Sequence, residues 1–93
     1  MQDPKTYKNG QIVSQAENNR LTYYFKTGIV KAEGAYLNGM MEGEWRFFRE
    51  DGQLWQVGHF VAGEKHGSWI RYDRSGQIEY DELFVNGKKG KKP

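Results

Sequence analysis

The chain has 93 residues, which is one domain at most, and its mean hydropathy of −0.93 is low for a protein with a large core. Three tryptophans, six tyrosines and five phenylalanines nevertheless favour a folded chain, because disordered chains are poor in aromatic residues. There is no cysteine, which excludes a disulfide framework, and the net charge of +2 falls to −2 without Lys88, Lys89, Lys91 and Lys92, so no nucleic-acid partner is expected.

The first segment predicts neither a membrane anchor nor a secretory signal. Residues 1–8 contain Pro4 among mixed polar residues, and we expect them to be a flexible lead-in to the single repeat domain that spans 1–93. They lack the apolar run of a signal peptide, and no stretch of the chain reaches the ~18 apolar residues of a membrane span. A complete chain of this kind is expected in the cytoplasm.

Residues 9–19 predict a partial, capping unit of a repeat. Asn9-Gly10 is a hairpin-turn signal, and the polar run at 17–19 is expected to turn the chain again. This unit is shorter than those that follow and does not share their period, as is common for terminal repeats.

A 24-residue repeat organises the rest of the chain. The full units are 20–43, 44–67 and 68–87, and we expect 88–93 to be a solvated basic tail. Glycines and apolar residues recur in one register, so chance is a poor explanation. The matching positions are Gly28, Gly52, Gly76; Gly39, Gly63, Gly87; Tyr24, Phe48, Tyr72; Tyr36, Phe60, Phe84; and Leu21, Trp45, Trp69.

Each unit reads as two strands joined by two turns. The strands are rich in aromatic and β-branched residues, and the repeated glycines interrupt every candidate helix. The fold class predicted is all-β, a single-layered twisted antiparallel meander of stacked hairpins. The predicted strands are Leu21–Phe25, Ile29–Leu37, Glu44–Arg49, Gln53–Val61, Ser68–Asp73 and Gln77–Val85.

Turn chemistry predicts the register of these strands. With Asp51-Gly52 as the two central residues of a type I′ turn, Trp45 pairs with Gly58. The same rule pairs Leu21 with Gly34 and Trp69 with Glu82. The longer loop of each unit then sets Tyr36 opposite Trp45 and Phe60 opposite Trp69.

One predicted face of the sheet is the more apolar, although a slip of one residue would exchange the two faces. Trp55 falls on the opposite face. The last strand carries Glu79, Asp81 and Glu82, and charges of this kind protect an edge against strand addition. The apolar face comprises Leu21, Tyr23, Phe25, Val30, Ala32, Tyr36, Trp45, Phe47, Leu54, Phe60, Trp69, Ile78, Tyr80 and Phe84.

These motifs resemble the MORN repeat (membrane occupation and recognition nexus). The resemblance lies in Tyr36-x-x-Gly39-x-x-x-Gly43-x-Trp45 and in Phe60-x-x-Gly63-x-x-x-Gly67-x-Trp69. The added Trp45-x-x-Phe48-x-x-x-Gly52 is similar to the bacterial variant of the repeat, which occurs in small proteins described as antitoxin-like. Glu82-Leu83 departs from the pattern, because the other units have Gly34-Ala35 and Gly58-His59 there.

The resemblance implies a single-layered sheet with roles in protein scaffolding, self-association or contact with phospholipid surfaces. It implies no catalytic residues, and the sequence shows none. His59 and His66 lack the convergent partners of a metal site or a general base. No glycine pattern opens a helix to cradle phosphate. We therefore expect a non-enzymatic protein without a cofactor or a bound metal.

The aromatic face is the candidate binding site for another protein or for a second copy of the chain. A single sheet leaves one face to be covered by curvature, by neighbouring side chains or by a partner. The alternative is that the rings are simply core. Trp55 is a possible second contact. The predicted contact residues are Tyr36, Trp45, Phe47, Phe60 and Trp69.

Two further binding functions remain open. Lys88, Lys89, Lys91 and Lys92 suit a weak contact with anionic lipid, worth about 1 kcal/mol per lysine near the surface. Stacked tryptophan and tyrosine rings also suit carbohydrate of the cell wall, although cell-wall-binding repeats have a shorter period. We rank protein binding first, lipid binding second and carbohydrate third.

Overall fold

A computed structural model describes residues 5–90, and within this range the chain is all-β, as predicted. Every pairing of strands is antiparallel. The strands of the described range are β1 (Ser14–Glu17), β2 (Arg20–Tyr24), β3 (Val30–Leu37), β4 (Met40–Phe48), β5 (Leu54–Val61), β6 (Glu64–Lys65), β7 (Gly67–Tyr72), β8 (Ile78–Val85) and β9 (Lys88–Lys89).

The strands form one open sheet whose spatial order follows the chain. The order is β1-β2-β3-β4-β5-β7-β8-β9, and the short β6 pairs with β5 just before β7 begins. The molecule measures 46 × 34 × 19 Å, the shape of a single layer. Because no second sheet packs against this layer in the part of the chain that the structure describes, its core lies on one face and is made by large side chains.

Type I′ turns close one series of hairpins. Asn38 and Gly39 have φ angles of 52° and 77°, and Leu37 pairs directly with Met40 across them. Ala62-Gly63 and Asn86-Gly87 repeat this geometry 24 and 48 residues later. A type I′ turn needs positive φ at both central residues, which asparagine and glycine tolerate best.

The other series of hairpins has a different turn, and the type I′ turn expected at Asp51-Gly52 is wrong. Only Gly52 has a positive φ, of 93°. Its N–H donates to the Arg49 carbonyl at 2.9 Å, and the Arg49 N–H donates to the Gln53 carbonyl at 2.8 Å. These two bonds define a three-residue loop that combines a type I turn with a glycine bulge.

The strand partners predicted for Leu21, Trp45 and Trp69 are nevertheless confirmed. Trp45 pairs with Gly58 and Trp69 with Glu82, and Leu21 pairs with Gly34. A β-bulge at Trp55 of β5, opposite Phe47 and Phe48 of β4, offsets the extra turn residue, so the register beyond it is the predicted one.

The pairings predicted across the longer loops are wrong. Tyr36 pairs with Met41 rather than with Trp45, which pairs with Gly34. The cause is a bulge at Gly43, which has a φ of 65°. Gly43 and Glu44 of β4 have no partner in β3, and pairing resumes at Trp45. In the next unit Phe60 pairs with Lys65 and not with Trp69.

The two ends of the chain contain more pairing than the predicted lead-in and solvated tail suggest. Thr6 forms a bridge with Ile12, and Lys88–Lys89 form β9 because the Asn86-Gly87 turn sends the chain back along β8. Lys91 and Lys92 lie outside the described residues. The boundaries of the repeat units stay a prediction.

Candidate functional site

A column of buried apolar residues crosses the strands on one face of the sheet. Trp45 is fully buried and Trp69 is 2% exposed. Leu21, Ala32 and Phe84 are also buried, and Trp45 belongs to the same cluster as Leu21 and Ala32. The most apolar face of the sequence is therefore the core of the protein.

Trp45 and Trp69 each lie flat on a glycine of the neighbouring strand, Gly34 and Gly58 respectively. A Cβ atom built on Gly34 would sit 2.4 Å from the Trp45 ring, and one built on Gly58 would sit 2.3 Å from the Trp69 ring. The indole Nε1 atoms donate to the carbonyls of Ala35 at 2.9 Å and of His59 at 3.0 Å. Only glycine leaves room for a ring at these two positions.

Further rings fill the spaces between the tryptophans. Phe60 meets Trp45 edge-on at 6.0 Å between centroids and meets Trp69 edge-on at 5.1 Å. Phe47 lies 5.7 Å from Trp69, and Phe84 lies 6.1 Å from the same ring. Edge-to-face contacts of this kind stabilise aromatic pairs beyond the area that they bury.

The side chain that covers the column differs between units. Met41 packs against the Leu21–Ala32–Trp45 cluster. The equivalent residue 24 positions later is Lys65, whose Nζ lies 4.6 Å from the Trp69 ring centroid and 4.9 Å from that of Phe84. Sequence reasoning missed both covers, and their shared position in the repeat is the signal that could have found them.

This burial corrects the predicted contact surface. Trp45 and Trp69 are beneath other side chains of their own sheet, so neither ring is free to touch a partner. Tyr36, Phe47 and Phe60 are partly buried and keep some exposed area on the same face. The structure therefore divides the five predicted contact residues into two core residues and three residues that reach the surface.

Trp55, predicted on the opposite face, occupies the β-bulge of β5. Its ring centroid lies 4.8 Å from the Arg71 guanidinium, which also lies 4.9 Å from the ring of Tyr80. The same guanidinium donates to Oε1 of the buried Gln56 at 3.2 Å. The bulge breaks the alternation on which the prediction relied, and Trp55 contributes to a cation–π cluster.

The opposite face carries a shallow charged groove. Arg20, Glu33, Ala35, Glu44 and Arg46 line it, and Glu33 pairs across the strands with Arg46. Nε of Arg46 donates to Glu44 at 3.1 Å. Sequence reasoning missed the groove, and the opposite charges at paired positions were the available signal.

Two aspartates order the three-residue turns. The Ser75 hydroxyl donates to Asp73 at 2.7 Å, and this bond, followed by that from the Gln77 N–H, lowers the pKa of the Asp73 carboxyl. The Gln53 N–H and then the Arg74 guanidinium lower the pKa of Asp51. Arg74 also forms a salt bridge with Asp51, which joins one turn to the next.

The histidines do not converge with other polar groups. Nδ1 of His59 lies 3.2 Å from the Ser68 carbonyl, and His66 occupies the loop before β7. In the range 5–90, no cluster of histidine, aspartate and glutamate residues could hold a metal ion. No helix of that range is long and apolar enough to span a bilayer.

Fold and core together define a class: a repeat protein made of stacked antiparallel hairpins, in which Trp45 and Trp69 each lie on a glycine of the preceding hairpin. Residues 41–62 and 65–86 match the MORN repeat variant family. These two segments are therefore MORN repeats of the variant type, as the resemblance predicted. Comparison with curated proteins and with solved structures gave no significant match.

MORN repeats are non-catalytic modules that generally bind proteins or membranes. The matched segments contain both tryptophans of the column and both of its covers. The family assignment thus rests on the part of the sheet in which the repeat is most regular.

Proposed function

We propose that this chain is a non-enzymatic protein-binding module and that Tyr36, Phe47 and Phe60 form its contact surface. The observation that supports the proposal is the incomplete cover of the aromatic face. Trp45 and Trp69 are buried, but the three flanking rings remain partly exposed on a sheet that has no second layer against it within residues 5–90. Partly exposed aromatic rings next to a rigid core are the residues that protein interfaces enrich.

The partner is either another protein or a second copy of this chain. An antitoxin role, in which the partner is a toxin, is one form of the first case. Self-association would use the same face on both copies, because symmetric dimers bring identical patches together.

Site-specific cross-linking tests this surface. A photoreactive phenylalanine analogue at Phe47 reports on the aromatic face, and the same analogue at Phe48 is the matched control, since adjacent strand residues point to opposite faces. We expect cross-linked dimers, or adducts with one co-expressed protein, from position 47 and few from position 48. Equal yields from both positions, or none from position 47, would contradict the proposal.

A second candidate function is contact with an anionic membrane surface. The residue before each type I′ turn in the full repeats is apolar and exposed: Leu37 is 41% exposed, Val61 54% and Val85 48%. Lys65, Lys88 and Lys89 are exposed and lie near the same turns. A row of turns with exposed apolar residues and nearby ammonium groups suits a bilayer interface.

Liposome sedimentation tests this second function. We expect binding to vesicles with anionic lipid, weakened by the double replacement of Lys88 and Lys89 with serine. Replacement of Lys26 and Lys31 with serine is the control, because it removes the same charge near other turns. Equal binding to neutral vesicles would rule out the electrostatic contribution.

The burial of the tryptophans gives no support to the carbohydrate alternative. A sugar ring stacks on an open aromatic face, and Trp45 and Trp69 have none.

A further inference from the structure

Within residues 5–90, part of the outer edge of β8 has no strand paired with it, and its backbone groups could pair with a further strand. On its inner side β8 pairs with β7 from Gly67–Phe84 to Tyr72–Ile78. On its outer side, within residues 5–90, β9 pairs only with Phe84 and Val85, and the Gly90 N–H donates to the Leu83 carbonyl at 2.6 Å. Peptide groups alternate along a strand, so those of Asp81 face the same side as those of Leu83.

The equivalent edges elsewhere in the sheet are occupied. In β3, residues 32–34 pair with 45–47 of β4, and in β5, Gln56 and Val57 pair with Arg71 and Ile70 of β7. The corresponding positions of β8, 24 residues further on, are Tyr80, Asp81 and Glu82. The edge of β8 thus continues an interface that the repeat already forms twice.

Glu82 changes which strand the edge can accept. The equivalent residues are Gly34 and Gly58, and a Cβ at either would lie within 2.4 Å of the tryptophan ring above it. A residue with a side chain at this position therefore blocks a tryptophan in the incoming strand. In agreement, the residue 24 positions after Trp69 is Pro93 and not tryptophan.

The carboxylates that protect this edge against apolar and acidic strands favour a basic one. Within residues 5–90, Asp81 and Glu82 form no ion pair. At the equivalent position of β3, Glu33 pairs across the strands with Arg46. Opposite charges at paired positions stabilise neighbouring strands by about 0.2–1 kcal/mol.

We propose that the outer edge of β8 binds an extended basic segment of a partner protein by strand addition. The segment runs antiparallel to β8, with a basic residue opposite Glu82, another opposite Asp81, and an apolar residue opposite Tyr80. This is the pattern of Trp45-Arg46-Phe47 with its tryptophan replaced by a basic residue. The inference rests on the proposed protein-binding function but concerns a different surface from the aromatic face.

Two labelled peptides test the proposal by fluorescence anisotropy with the full chain. The first has the order Thr-Arg-Arg-Phe-Thr, and the second replaces its first arginine with tryptophan. We expect the wild-type protein to bind the arginine peptide. Glu82→Gly should weaken that binding about two- to fivefold, as expected for one charge pair, and should strengthen binding of the tryptophan peptide.

Backbone NMR locates the peptide and supplies the controls. We expect the Asp81 amide to become protected from exchange, because its N–H faces the added strand. Glu44→Gln, which removes a carboxylate from the charged groove, should leave binding of the arginine peptide unchanged. A thermal melt of each variant confirms that it is folded.

Three results would overturn the proposal. The first is equal affinity of the arginine peptide for wild type and for Asp81→Asn/Glu82→Gln. The second is protection of amides away from β8. The third is binding only after Lys91 and Lys92 are replaced with serine, which would mean that the chain's own lysines cover the edge. In each case cross-linking at Phe47 remains a separate test of the aromatic face.

Discussion

The two matched repeats share the packing of a tryptophan on a glycine but differ in the side chain that covers the tryptophan. In both, a tryptophan lies on a glycine of the preceding strand and donates its indole N–H to a backbone carbonyl there. Met41 covers the first column segment, whereas Lys65 covers the second. A lysine can replace methionine because its ammonium group is attracted to the faces of the Trp69 and Phe84 rings while it keeps contact with water. The comparison shows that the residue beneath the tryptophan has to be glycine, whereas the residue that covers the tryptophan can differ in chemistry.

The largest expected effect is loss of the tryptophans. We expect Trp45→Ala and Trp69→Ala each to lower the free energy of unfolding by about 3–5 kcal/mol, because both rings are almost fully buried. Urea denaturation followed by circular dichroism measures the change, and the corresponding phenylalanine variants give a milder pair. A cost below about 1 kcal/mol for either alanine variant would show that the ring is not core.

The second largest effect is expected from replacing the glycines beneath the tryptophans. Gly34→Ala and Gly58→Ala force the ring above them to move, and we expect a loss of about 1–3 kcal/mol from each. Glu82→Ala is the matched control at the third repeat position, which carries no tryptophan in the next strand. Its effect should stay within about 0.5 kcal/mol. Equal losses of stability at all three positions would contradict the interpretation that glycine is needed to make room for the tryptophan ring.

Exchanging the covers probes the difference between the repeats directly. Lys65→Met should stabilise the protein by about 0.5–1 kcal/mol, since the apolar area that the thioether buries over the Trp69 ring outweighs the two exposed cation–π contacts that are lost. Met41→Lys should destabilise it by a similar amount. Thermal unfolding of both variants measures the shifts. Shifts of the same sign would contradict the equivalence of the two positions.

The smallest expected effects lie in the turns. The folded state lowers the pKa of Asp73 and of Asp51, so each contributes stability above the unfolded pKa. This contribution is lost as the pH falls through the lower, folded pKa. We therefore expect Asp73→Asn to flatten the pH dependence of the melting temperature below about pH 4.

The dependence on salt should differ between the stability contributions of the two aspartates. Asp51 interacts with the exposed charge of Arg74, whereas Asp73 is held by neutral donors of its own turn. High salt should reduce the effect of Asp51→Asn and leave that of Asp73→Asn nearly unchanged. Equal sensitivity of both variants to salt would contradict this assignment.

The sequence alone predicted the meander and the partners of Leu21, Trp45 and Trp69, because a 24-residue period fixes which residues recur together. It did not predict the turn types. Asp51-Gly52 and Asn38-Gly39 look alike as dipeptides, but only the second has two residues with positive φ. Bulges account for the remaining errors, since they move Tyr36 away from Trp45. The repeated Gly43 and Gly67 mark the place of the bulge but not the number of residues that it adds.

The candidate site was less predictable than the fold. Periodicity selected the apolar face correctly, but it could not say which rings would be buried. Trp45 and Phe47 both belong to the predicted face, and only the structure shows that the first is inaccessible. Burial here depends on the covers, and a cover such as Lys65 is polar in sequence.

The order of strands in the sheet also has a kinetic consequence. Apart from the small insertion of β6, the strands of residues 5–90 lie in space in the order in which they are joined. No pairing has to wait for the closure of a long loop, so the entropic barrier to each step is small. Assembly can begin at any hairpin and spread to its neighbours. We therefore expect rapid folding for an all-β protein, with amide exchange slowest around β4 and β5 and fastest towards both ends.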